Sequence, residues 1–240
     1  MRYLIAVLGL SSLVFNSSAD SLMIQPGKLV LEKKFDSAED VDKKSIKFNK
    51  ETQHKVQDGV LKAIPPVIAY EGTGKKSKWA KSSFSRVNFP ELPKDYICTF
   101  RVKINQPKDA KAASKAKAYF DMGHRCIRTT LSGEGTKFLL ENHLVGKKEK
   151  ETSKLLQEIS SPKLTFNQWY EITAEVKGTE ALIQINGQVL YGQNGLISGE
   201  RANTFNIDIS GAGYELDYLK VWQAGDLKES WPQKKKALVK

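Results

Sequence analysis

The sequence predicts an all-β protein, an antiparallel two-sheet sandwich of jelly-roll type. Three observations carry this. Apolar residues recur with a period of two in ten or more short segments. Turn signals separate those segments at regular intervals, including Asp58-Gly59 and Asn186-Gly187, each flanked by apolar residues. Helices do not alternate with the strands, which excludes a parallel α/β fold.

The segments follow in order. Leu29 to Phe35 is a candidate strand, and Val56 and Val60 flank the Asp58-Gly59 turn. Ser82 to Phe89 alternates less clearly. Tyr96 to Ile104 is the clearest strand: Tyr96, Cys98, Phe100, Val102 and Ile104 share one face, while Ile97, Thr99, Arg101 and Lys103 share the other. Residues 105–117 read as a polar loop or short exposed helix. Ala118 to Met122, Arg125 to Leu131 and Lys137 to His143 are three more strands, parted by Gly123 and by Gly133-Glu134-Gly135. Residues 146–161 are charged, with Leu155, Leu156 and Ile159 as a narrow stripe, and predict a short surface helix. Trp169 to Lys177, Ala181 to Ile185, Gln188 to Tyr191, Phe205 to Ile209 and Tyr214 to Trp222 complete the sheets. Trp169 and Trp222 are expected to fill core, and the tail from Ala224 to be loose.

Residues 1–19 have the parts of a secretory signal: Arg2, an apolar run from Leu4 to Phe15, then Ser17 and Ala19 placed for a cut before Asp20. The run is too short to span a bilayer. The expectation is a secreted or periplasmic protein with no membrane span. Its parts are an N-terminal segment at 20–28, one domain at 29–223 and a basic tail at 224–240. The formal charge is +11, or +10 once Arg2 leaves with the leader. That excess suits an anionic surface or polysaccharide; equally, its short lysine runs suit solvated loops. Cys98 and Cys126 are an even pair. In an oxidising compartment they are a possible disulfide, or else two buried thiols.

The second half carries a recognisable layout. Phe166-Asn167-Gln168-Trp169-Tyr170-Glu171-Ile172 leads to Glu175-Val176-Lys177-Gly178, then to Ile185-Asn186-Gly187-Gln188-Val189, and last to Leu216-Asp217-Tyr218-Leu219-Lys220-Val221-Trp222. This order resembles the concanavalin A-like jelly rolls of the laminin-G and family 16 glycoside hydrolase type, and most of all the secreted domain labelled 3-keto-disaccharide hydrolase. Val56-Gln57-Asp58-Gly59-Val60-Leu61 and Tyr96-Ile97-Cys98-Thr99-Phe100-Arg101 match segments of that domain in the first half. The resemblance implies a carbohydrate-interacting protein. The family's Asn-Ser-Gly stretch is replaced here by Gly123-His124-Arg125-Cys126-Ile127-Arg128, with Arg128 in place of its arginine. The glutamate-aspartate-glutamate motif of family 16 is also absent: Glu215 and Asp217 are followed by Lys220.

Glycoside cleavage needs two carboxylates flanking the bond. Glu215 and Asp217, two apart on a strand and so about 7 Å apart on one face, are the candidate catalytic pair; Asp121 and Glu141 lie on neighbouring strands. Arg101, His124, Arg125, Arg128 and Tyr214 are the candidate substrate-binding side chains, the arginines because a guanidinium fork donates parallel bonds. The stretch from Lys75 to Lys81 sets Trp79 among lysines and could grip an anionic chain. His124, His143 and Cys126 lack the spacing of a zinc motif, so no metal is expected. No phosphate loop, dinucleotide fingerprint or nucleophile elbow is present, so no cofactor is implied. No nucleic-acid module is recognisable. The expected function is binding, or hydrolysis, of an extracellular glycan that the charge suggests is anionic. The alternative is a structural envelope protein held by its basic surface. N-terminal sequencing of the exported protein is expected to start at Asp20; a start at Met1 refutes the leader.

Overall fold

The computed structural model describes residues 21–42, 44–49, 52–64, 84–123, 126–141, 153–198 and 203–239. The expected leader, the lysine stretch with Trp79, and His124, Arg125 and His143 lie outside them. In chain order the strands are β1 (Ile24–Lys33), β2 (Lys47–Phe48), β3 (Gln53–Gln57), β4 (Val60–Ile64), β5 (Phe84–Phe89), β6 (Tyr96–Ile104), β7 (Lys117–Met122), β8 (Ile127–Ser132), β9 (Gly135–Glu141), β10 (Ser153–Ile159), β11 (Trp169–Lys177), β12 (Glu180–Ile185), β13 (Gln188–Gln193), β14 (Phe205–Ser210) and β15 (Tyr214–Leu227). Two short helices, α1 (Ala110–Lys115) and α2 (Trp231–Leu238), complete the set.

The strands form two antiparallel sheets. Sheet I runs β13-β12-β11-β6-β15-β4-β3, with β1 also on β15; sheet II runs β10-β9-β8-β7-β14-β5-β2. Each strand turns one alternate set of side chains inward. On β6 the inward set is the predicted one, and Tyr96, Cys98, Phe100, Val102 and Ile104 are all buried. Phe100 of sheet I meets Phe120 and Phe205 of sheet II, with ring centroids 5.4 and 5.2 Å apart. Both turn signals fold as read: Asp58, Gly59, Asn186 and Gly187 all have positive φ, as the tight hairpin turn demands. Asp109 caps α1 by accepting from the Ala112 amide at 2.7 Å.

Three expectations are corrected, and one open alternative, the state of the cysteines, is decided. Residues 153–159 of the predicted surface helix form β10, not a helix. Leu155 and Leu156 looked helical because a bulge between Leu155 and Gln157 breaks the period of two; pairing with β9 overrides the local pattern. The tail is not loose. β15 runs on to Leu227 and α2 docks on sheet I, with Trp231 buried beside Met23, Ile24, Ile97, Leu182 and Tyr191. The sheet also starts earlier than expected, at Ile24. Finally, the two cysteines are not joined: each is buried and outside any disulfide, and burial pushes the Cys98 thiol far above its usual range.

One buried carboxylate ties the N-terminal segment down. Glu175 lies on the outer side of sheet I, wholly buried, and accepts the amides of Leu22, Met23 and Ile24 at 2.6, 2.9 and 2.8 Å. Burial raises its pKa and the three amides oppose that rise. Glu175→Ala leaves the buried Met23 and Ile24 amides and the part-buried Leu22 amide unsatisfied; urea unfolding is expected to show a loss of about 3 kcal/mol.

At the opposite edge His54 of β3 stacks on Phe48 of β2, centroids 4.0 Å apart, and joins the two sheets. Its Nδ1 faces the Thr52 carbonyl at 3.1 Å, and its Nε2 lies 3.4 Å from the Tyr214 hydroxyl. Burial lowers its pKa to about 4. The unfolded chain therefore binds this proton at higher pH than the fold does, and stability falls as pH drops from about 6.5 towards 4. The loss is on the order of 2 kcal/mol for a partly solvated ring. Urea unfolding at pH 7 and 4.5 is expected to show that difference, reduced in His54→Phe.

Candidate functional site

The outer face of sheet II is the candidate site. It is built by directly opposed residues, which share a face. One row crosses the sheet as Asn88, Asn206, Asp121, Arg128 and Leu139 on β5, β14, β7, β8 and β9; the next runs Arg86, Asp208, Tyr119, Thr130 and Lys137. These strands put aliphatic and aromatic residues inward, so the polar ones have nowhere else to go.

Two ion-pair groups organise the face. Arg128 donates from Nε and Nη2 to Asp121 at 2.7 and 2.9 Å, and from Nη1 to Glu141 at 2.8 Å. Arg86 grips Asp208 with Nε and Nη2, the latter at 2.7 Å. Asn88 donates to Asn206. The Arg128 guanidinium lies 5.0 Å from the centre of the Tyr119 ring. The side chains of Asp121 and Asp208 are 0% and 3% exposed, while Arg86 keeps 35%. Buried acids thus hold both arginines; Arg86 keeps partial exposure, and Arg128 is 15% exposed. Burial works against the charge on Arg128, but Asp121 and Glu141 outweigh it and raise its pKa. Burial also raises that of Tyr119.

A second polar cluster sits on the outer face of sheet I. Arg101 ion-pairs with Glu171 at 3.0 Å and Asp217 at 3.1 Å, and Lys103 with Glu215 at 2.9 Å. The Trp169 ring lies 4.8 Å from the Arg101 guanidinium and 5.0 Å from the Lys103 ammonium. Tyr218 donates to Glu171 at 2.7 Å. Burial and that bond together push the Tyr218 hydroxyl far above its usual range.

The residues singled out in the sequence are therefore divided. Arg101, Glu215 and Asp217 converge on sheet I. Arg128 stands on the opposite side of the sandwich, together with Asp121 and Glu141. Tyr214 is on neither face: it is wholly buried in the core, because it alternates inward with Leu216. Trp169 is not core, since it opposes Lys103 on the outward side of β11. A bulge between Leu216 and Tyr218 also breaks the regular spacing of Glu215 and Asp217. Each of these two acids has a basic partner. Arg86, Asn88, Tyr119, Asn206 and Asp208 were missed. The available signal was polar alternation inside otherwise apolar strands, as in Phe205-Asn206-Ile207-Asp208-Ile209. Among the described residues no group of three or more His, Cys, Asp or Glu side chains could hold a metal ion, and no helix is long and apolar enough to cross a membrane.

Arg128→Met strands the buried Asp121 charge. Urea unfolding is expected to lose about 3–5 kcal/mol, and the Asp121→Asn, Arg128→Met double variant is expected to recover part of it.

No family model matches the chain, and no curated protein matches it in sequence. Solved structures do match in fold. The β-glucanase of Bacillus licheniformis superimposes with a TM-score of 0.52 at 7% identity, over 83% of this chain and 100% of that one. The laminarinase catalytic domain of Thermotoga maritima gives 0.52 at 11%, over 84% and 100%. The endo-β-1,3-glucanase of Pyrococcus furiosus gives 0.50 at 12%, over 83% and 95%. Likeness at such identities speaks for architecture, and this chain folds as a concanavalin A-like jelly-roll sandwich.

Proposed function

We propose that this protein is an exported glycan-binding jelly roll whose contact face is the outer side of sheet II. One observation carries the reading: buried acids hold the partly exposed Arg86 and the more buried Arg128 in place beside Tyr119 and the Asn88–Asn206 pair. Vicinal sugar hydroxyls are both donors and acceptors. Guanidinium N–H groups, carboxylate oxygens and side-chain amides answer both roles from fixed positions. The glucan-cleaving enzymes that share the fold support the ligand class, and the leader supports an extracellular site. The basic excess would draw an anionic glycan over longer distances.

Hydrolysis is the second reading, carried by the shared outward face of Glu215 and Asp217. The envelope-protein alternative is tested through its basic end. Because Trp231 anchors α2, deletion of residues 226–240 would damage the sheet, and Lys234→Glu with Lys236→Glu is the cleaner change.

Affinity electrophoresis in gels cast with neutral, uronic or sulfated polysaccharides tests binding. The protein is expected to be retarded by at least one of them, and the Arg86→Met, Asn88→Ala variant to need roughly tenfold more polysaccharide, about 1.4 kcal/mol. No retardation in any gel overturns the reading. Sugar release by the wild type, lost in Glu215→Gln, would move it to hydrolysis.

A further inference from the structure

We infer that the protein has a second glycan-contact surface, around Trp169 on the outer face of sheet I, and that it bridges two glycan chains. The inference rests on the glycan-binding reading above.

Docked segments split the outer face of sheet I in two. Residues Leu22–Ile24 and helix α2 cover the part around Ile97, Leu182 and Trp222 with an apolar cluster. The other part is open and polar. There Trp169, Lys103 and Glu215 form one row on β11, β6 and β15, and Glu171, Arg101 and Tyr218 form the next. Two partly exposed aromatic rings and an arginine thus stand on three adjacent strands. These residue types supply rigid contact area with a polar edge, the type that dominates binding hot spots. The arginine is positioned from both sides: its Nη1 donates to Asp217, and Glu171 lies 3.0 Å from its Nε, a buried atom that makes no hydrogen bond among the described residues. Of the side chain, 37% is exposed. A pyranose ring offers an apolar C–H face for the rings and hydroxyls for Arg101, Glu171 and Asp217. The cluster sets three acids, Glu171, Asp217 and Glu215, against two cations, Arg101 and Lys103, so the chemistry favours a hydroxyl-rich chain over a polyanionic one.

Geometry then turns two surfaces into a bridge. The sheets of a sandwich stack about 10 Å apart, and their outer faces point in opposite directions. A glycan lying on the Arg86–Arg128 rows cannot also lie on Trp169 without wrapping round an edge. Two occupied faces mean two chains, or two distant segments of one, held by a single protein. Such bivalent contact converts modest affinities into retention on a network.

A two-layer capture assay tests this. A polysaccharide that retards the protein is immobilised, the protein is bound and washed, and the same polysaccharide carrying a fluorophore is added. The wild type is expected to recruit the labelled layer. Compared at equal amounts of protein captured on the first layer, Trp169→Ala and Arg101→Met are expected to lose at least tenfold of the second. Circular dichroism and urea unfolding check that these surface variants fold. Absence of protein from the first layer overturns both readings. Protein bound without recruitment of label overturns the bridge alone, as does full recruitment by Trp169→Ala. A protein dimer in sedimentation that Trp169→Ala dissolves also overturns it, because recruitment would then come from self-association.

Discussion

Two sheets that share one core leave only their outer faces for polar side chains, and the rest of this structure follows from that constraint. Phe100 of sheet I packs on Phe120 and Phe205 of sheet II, and every strand through this region must turn its apolar set toward them. Outside the bulges side chains alternate, so there the other set is fixed without further choice. Arg101, Lys103 and Trp169 go to one outer side; Arg86, Asp121, Arg128 and Asp208 go to the other.

The two outer faces meet this constraint differently. On sheet II, acids with almost no exposure each sit against a guanidinium. Buried pairs of this kind contribute little net stability over an apolar pair, yet removing one partner is strongly destabilising. Their effect here is orientation: an arginine gripped from below by two parallel bonds presents its remaining N–H groups in one direction. On sheet I the equivalent acids are more exposed, and the ion pairs lie at the surface, where such pairs are weak individually. What holds that side is the apolar cap of Met23, Ile24 and Trp231, secured by Glu175 and by the Trp231 indole donating to Glu180 at 2.8 Å.

The cap makes Leu22–Ile24 and helix α2 part of the fold. Residues 22–24 satisfy a buried carboxylate, and α2 covers the apolar side chains that would otherwise face water on sheet I. The region of Trp169 stays open because the cap stops short of it. The same packing that completes the fold thereby marks out the second surface.

The sequence by itself determined the fold class, the limits of β6 and β11, and the turns at Asp58-Gly59 and Asn186-Gly187. These depend on local rules: period two, and the left-handed conformations that Asn, Asp and Gly accept. It also named Arg101, Arg128, Asp121, Glu141, Glu215 and Asp217 one by one. Only the tertiary structure decided which of them meet. Strand order sets that, and β6 lies between β11 and β15 while β14 lies between β5 and β7, pairings between segments far apart in the chain. The same long-range pairing made a strand of residues 153–159, buried Tyr214, moved Trp169 outward and docked α2. Local pattern states which side chains share a face; the burial of whole sheets against each other states which face is inside.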